Sequence, residues 1–177
     1  FGTHRDITLQ GDIAVGAETL TITGTGVGNN GALRNLSGNN TWGGTVRLSG
    51  NAEIQSDAGT LTLSAANAVI NATATARSLT VDGSGNTAIN GTITTTTGTL
   101  TKNGSGTLSL SGVNTYTGTT TINAGTLRYG ANNAINSGAV VVNNGGTYDL
   151  NGYSDTIGAL TVNSGTLGGT VTTGSGR

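Results

Sequence analysis

The chain has 177 residues, of which 33% are hydrophobic, 3% aromatic and 8% charged, with a formal net charge of -1 and no Cys or Pro. So sparse a charge gives no field for a nucleic-acid backbone, and without Cys neither a disulfide framework nor a thiolate metal site can form. The longest aliphatic run, Ala139 to Val142, is far short of the roughly 20 residues of a membrane helix, so no membrane-spanning segment is expected.

The first residues, FGTHRD, carry no initiator Met, basic n-region or apolar h-region and read as the start of a processed product or of a piece of a longer protein. From there to Gly24, the bursts Ile7-Thr8-Leu9, Ile13-Ala14-Val15 and Leu20-Thr21-Ile22 alternate polar and apolar residues. That alternation predicts short strands punctuated by Gly11, Gly16 and Gly24. No stretch places apolar residues at helical spacing long enough for a helix, so the chain reads as all-β. A loop rich in Gly and Asn follows from Gly24 to Gly31.

Leu36 to Leu48 echoes Leu110 to Ile122 at an offset of 74, which sets Trp42 opposite Tyr116. A weak repeat is therefore assigned to 36–63 and the clearest one to 100–130. The triplet Gly-Thr-Leu recurs at Gly59, Gly98, Gly106, Gly125 and Gly165, with Gly-Thr-Tyr at Gly146; each predicts a corner followed by an inward apolar side chain.

Two apolar series give the period. Leu61, Leu79, Leu100, Thr120, Val140 and Leu160 form one; Ile70, Ile89, Leu108, Leu127, Tyr148 and Leu167 form the other. The step of about 20 residues, holding two or three strands, is that of one coil of a parallel β-solenoid. Residues 1–177 then form a single segment of about eight or nine coils, on the order of 40 Å long at the strand spacing. The glycines, 32 in all, are periodic and mark corners instead of disorder.

Asn103, Asn123, Asn143 and Asn163 fall 20 residues apart, with Asp82 one coil earlier. Stacked at about 4.8 Å, they predict a ladder in which each side-chain amide donates to the next, a structural device at a corner.

The opening Leu100, Lys102, Gly104 and Gly106-Thr107-Leu108, the step Leu110-Ser111-Gly112, then Asn114-Thr115-Tyr116, Gly118, Thr120 and Ile122-Asn123, and the close Gly125-Thr126-Leu127 together resemble the autotransporter-associated β-strand repeat of Gram-negative passenger regions. Tyr148 to Gly152 and Ile157 to Leu160 are similar to the coils that follow that repeat. The resemblance implies a right-handed parallel β-helix, exported through the outer membrane to the cell surface or medium. It further implies a stalk or scaffold for adhesion or aggregation, with no catalytic motif and no cofactor.

A polysaccharide-active β-helix needs clustered carboxylates, and only Asp57, Asp82 and Arg77 stand close enough in the repeat to meet. His4 is the single histidine and lies at the terminus. Thr60-x-Thr62, Thr73-x-Thr75 and Thr92-x-Thr94 suggest a water-ordering array, but their spacings share no single register, which favours plain strand propensity. Trp42 and Tyr116 are candidate surface-contact aromatics for glycans, although each ring reads more readily as cover for the Gly-rich corner beside it, and Tyr129, Tyr148 and Tyr153 cluster later. The expected partners are cell surfaces, glycans or further copies, since open solenoid ends expose strand edges and permit a filament. No nucleic acid is expected.

Overall fold

Every strand pair in the computed structural model, which describes residues 6–163 and 170–172, is parallel. Parallel pairing between strands a coil apart, with no α-helix among the described residues, makes the chain a β-solenoid. No helix among them is long and apolar enough to cross a membrane.

One face runs through Ile7–Gln10, Leu33–Ser37, Val46–Ser56, Leu79–Asp82, Leu100–Lys102, Thr120–Ile122, Val140–Val142 and Leu160–Val162. A second face runs through Ala14–Val15, Asn39–Trp42, Thr60–Leu63, Asn86–Ile89, Thr107–Leu110, Gly125–Tyr129, Gly146–Asp149 and Thr170–Thr172. A third, shorter strip joins Leu20–Gly24, the start of Val46–Ser56, Asn67–Asn71 and Thr92–Thr94. The early coils therefore have three sides. Past Thr94 the third side carries no strand among the described residues.

Inward residues stack into columns. Leu79, Leu100, Thr120, Val140 and Leu160 align on the first face as their spacing predicts. Leu61 does not join them: Ala52 precedes Leu79 in that column, and Leu61 sits on the second face between Asn40 and Thr87. There it leads through Thr87 to Leu108, Leu127 and Tyr148. Ile89 aligns with Leu110 instead of Leu108, and Ile70 lies on the third strip beside Arg47 and Thr94. Leu167 lies outside the described residues, and Tyr148 pairs onward with Val171.

The reason is coil length. Residues aligned between coils are 20 or 21 apart from Leu79 to Leu160, but Ile7 to Leu33 spans 26 and Ala52 to Leu79 spans 27. The surplus leaves the coil at two outward loops, one at Thr25 to Gly31 and one at Ala72 to Ser78. A fixed period holds only where neither loop intervenes.

Close approach of coils explains the corner glycines. A Cβ on Gly118 would meet the backbone of Gly98, and one on Gly138 the backbone of Gly118, so these three stack where no side chain fits. The Gly-Thr-Leu corners turn as expected: Leu61, Leu100, Leu108 and Leu127 all enter the core, as does Tyr148 after Gly146. The corner at Gly165 lies outside the described residues.

Candidate functional site

The asparagine column follows directly from the register of the first face. Because Ile122 pairs with Val142, the next residues, Asn123 and Asn143, also face each other. Asn123 Nδ2 donates to Asn103 Oδ1 at 2.8 Å, Asn143 Nδ2 to Asn123 Oδ1 at 2.6 Å, and Asn163 Nδ2 to Asn143 Oδ1 at 2.5 Å. All the amides point the same way along the axis. Asp82 occupies the same column, but its Oδ1 accepts from the Gly83 N–H at 2.6 Å and makes no bond to Asn103. Gln55 and Arg34 continue the column toward the first coils.

A break in this ladder has a bounded cost. Asn123→Leu removes two side-chain bonds at a half-buried corner, and we expect a loss of about 1–2 kcal/mol in chemical denaturation, with the slope of the transition unchanged. A loss below about 0.3 kcal/mol would show that water replaces the ladder without cost.

Trp42 and Tyr116, the candidate surface-contact aromatics, are buried at 5% and 0% exposure, so neither ring is free to meet a glycan. They are not equivalent either. Trp42 aligns with Leu63, Ile89, Leu110 and Tyr129, whereas Tyr116 lies between strands and bonds Thr120 Oγ1 through its hydroxyl at 2.8 Å. The copy in register with Gly106-Thr107-Leu108 is Gly59-Thr60-Leu61, reached through Thr87, so the echo at offset 74 joins different parts of the coil. Trp42 Nε1 donates to the Glu18 carbonyl at 3.0 Å, which seals it into the first coils.

The later tyrosines form a buried chain of hydroxyls. Tyr129 and Tyr148 meet edge to face at 5.5 Å, their hydroxyls 2.5 Å apart, and Tyr129 donates onward to Asp155 Oδ2 at 2.6 Å. Burial pushes all three buried phenols up, Tyr148 to about 12, and the Asp155 carboxylate adds to the rise at each. Tyr153 remains partly exposed.

Two features escape sequence reasoning. Lys102, only 2% exposed, occupies an inward position between Val81 and Ile122. Its ammonium reaches the carbonyls of Gly104 and, at 3.4 Å, Ala124. Burial pulls its pKa down to about 8 although Asp82 opposes the shift. The alternation Leu100-Thr101-Lys102 places it inward, and its charge alone argues otherwise.

The second is a substitution of side chain for backbone. Asn114 Oδ1 accepts the buried Ile93 N–H at 2.7 Å while Nδ2 donates to the Ala134 carbonyl at 2.5 Å. Asp155 Oδ2 likewise accepts from Ile135 N at 2.8 Å, and Asn40 Oδ1 from Ile13 N at 2.6 Å. These side-chain oxygens, two amide and one carboxylate, accept backbone N–H groups from the neighbouring coil in place of main-chain carbonyls.

The acidic residues are dispersed. Asp57 pairs with Arg34 and accepts from Gln55 Nε2 at 2.5 Å, and so does not join Asp82 and Arg77. Glu53 is pushed above the ordinary carboxylate range by burial and then by Asp82. Among the described residues no group of three or more His, Asp or Glu is placed to hold a metal. His4 lies outside them.

The three Thr-x-Thr pairs share no register, Thr60 and Thr62 lying on the second face and Thr92 and Thr94 on the third strip, although other threonines do align. Thr60, Thr107, Thr126, Thr147 and Thr170 align on the second face, interrupted only by Asn86, and Thr80, Thr101 and Thr121 on the first. Thr73 and Thr75 stand apart on the outward loop.

No curated protein and no solved structure matches the chain significantly. The family model for the passenger-associated-transport-repeat matches residues 54–73 and 100–128. The first match begins within the coil that holds Gly59-Thr60-Leu61, the stretch the strand register aligns with Gly106-Thr107-Leu108. With that repeat set twice into a parallel β-solenoid, the chain carries the repeat of autotransporter passengers.

Proposed function

We propose that the chain is a rigid segment of a longer passenger, exported through the outer membrane and serving at the cell surface as a stalk or scaffold in adhesion or aggregation. The observation that carries the reading is the unbroken column from Ala52 to Leu160, in which each coil pairs with the next along one face. A stack of this kind resists bending because every rung is hydrogen-bonded to its neighbours. Its polar side chains support the same role: among the described residues the buried Asn, Tyr and Lys groups are engaged inside the wall and leave no assembled nucleophile and base. A secreted or surface location accords with the passenger repeat.

Size-exclusion chromatography and electron microscopy of the purified chain test this directly. We expect single rods on the order of 35–40 Å long, and adhesion lost when this segment is deleted from its displayed parent. Rods joined end to end into filaments would favour a self-assembling subunit over a stalk, and turnover of an acidic polysaccharide would overturn the non-enzymatic reading.

A further inference from the structure

Five asparagines precede glycine: Asn30, Asn90, Asn103, Asn144 and Asn151. In such a pair the glycine backbone nitrogen can attack the asparagine Cγ. A C–N bond forms, ammonia leaves carrying the nitrogen's proton, and water then opens the cyclic imide to aspartate or isoaspartate. No co-reactant beyond water is needed. The reaction requires a side chain free to turn toward the chain and a following N–H that is not already engaged.

Four of the five are held against it. The Gly31 N–H donates to the Thr25 carbonyl at 2.8 Å, and Asn30 Nδ2 to the Val27 carbonyl at 3.2 Å. Asn151 Oδ1 accepts from Arg128 at 2.5 Å while its Nδ2 donates to the Tyr129 carbonyl at 3.0 Å. Asn90 has an exposed side chain, but its peptide is pinned: Asn90 N donates to Leu63 O at 3.0 Å, Thr92 N to Ala66 O at 2.8 Å, and Gly91 between them is buried against Ala65. Asn103 Oδ1 is occupied by Asn123 Nδ2, and Gly104 is seated on the backbone of Gly83.

Asn144 differs on each count. It and Gly145 are exposed at the centre of a turn closed by Gly146 N to Asn143 O at 2.9 Å, with Gly145 at φ 89°. Neither the Asn144 side chain nor the Gly145 N–H has a partner among the described residues. We propose that Asn144 is a site of spontaneous deamidation in the folded protein, and that the asparagine ladder protects its own glycine-flanked member, Asn103, from the same reaction.

The test is peptide mapping by mass spectrometry after incubation of the native protein in warm, mildly alkaline buffer. The amide-to-acid mass shift is expected first in the peptide holding Asn144, with isoaspartate among its products, and Asn144→Gln should abolish it. Asn123→Leu, with its fold checked by circular dichroism, should raise conversion at Asn103 by about tenfold, the rate equivalent of one or two net hydrogen bonds, and leave Asn144 unchanged. Conversion at Asn144 no faster than at Asn151 would overturn the site, and an unchanged rate at Asn103 in the folded Asn123→Leu variant would overturn the protective role of the ladder.

Discussion

Raising the pH from about 8 to about 10 is expected to stabilise the chain, by about 3 kcal/mol at most, before further alkali unfolds it. Lys102 drives the rise. Its folded pKa is pulled down to about 8 by burial, against 10.5 for the unfolded residue. Between those values the unfolded chain holds more protons than the folded one, so unfolding becomes less favourable as the pH climbs. The stabilisation is complete above the unfolded value and is lost as the pH falls through the folded value. The tyrosines act in the opposite sense. Tyr116, Tyr129 and Tyr148 are all raised above 10, so their contribution is intact below pH 10 and is lost as the pH rises through their folded values, Tyr148 first near 12. Stability should therefore peak near pH 10 in urea melts recorded across the alkaline range.

Lys102→Met separates the two effects. Met fills the slot between Val81 and Ile122 without a charge to desolvate, so the variant should gain about 1–2 kcal/mol at pH 7 and lose the rise from pH 8 to 10. The decline above pH 10 should persist, because the tyrosines are untouched. A wild-type curve that is flat or falling between pH 8 and 10 would mean that the Gly104 and Ala124 carbonyls solvate the ammonium as well as water does.

Lys102 also marks a limit of what the sequence can disclose. Spacing alone is sufficient from Leu79 to Leu160, where coils of 20 or 21 residues keep each inward side chain above the last. It fails for Leu61 and Ile70, because the surplus residues at 72–78 displace the phase without changing the local alternation, and for Ile89, which lies two residues past Thr87, the residue in register with Leu108. The echo at offset 74 likewise made Trp42 look equivalent to Tyr116, although Trp42 lies in register with Leu110 and Tyr129. The ladder of Asn103, Asn123, Asn143 and Asn163 was legible since identical residues recur at a constant step within the regular coils. Asn114 was not: an Asn two residues after Gly112 reads as a turn residue, and nothing local reveals that its side chain closes a backbone bond one coil away.

That hidden role makes Asn114 the residue whose loss should cost most for its size. It stands where the third strip ends, 2% exposed, with the edge strand Thr92–Thr94 on one side and the Ala134 carbonyl on the other. Asn114→Leu preserves the approximate volume but leaves the Ile93 N–H and the Ala134 carbonyl without the side-chain partners they have in the parent. Each unsatisfied group costs about 1–3 kcal/mol, so a loss of about 3–5 kcal/mol is expected, enough to endanger folding at 37 °C. Asn114→Asp keeps the acceptor for Ile93 and discards the donor to Ala134, while adding a buried charge, and should be relieved as acid protonates the new carboxyl. Hydrogen exchange supplies the local readout: in Asn114→Leu the Ile93 amide should lose its protection before the amides of Thr107–Leu110 do. If Asn114→Leu instead melts within about 0.5 kcal/mol of the parent, the edge strand must be closed by Thr115 N to Ile93 O alone, the 3.0 Å bond beside it.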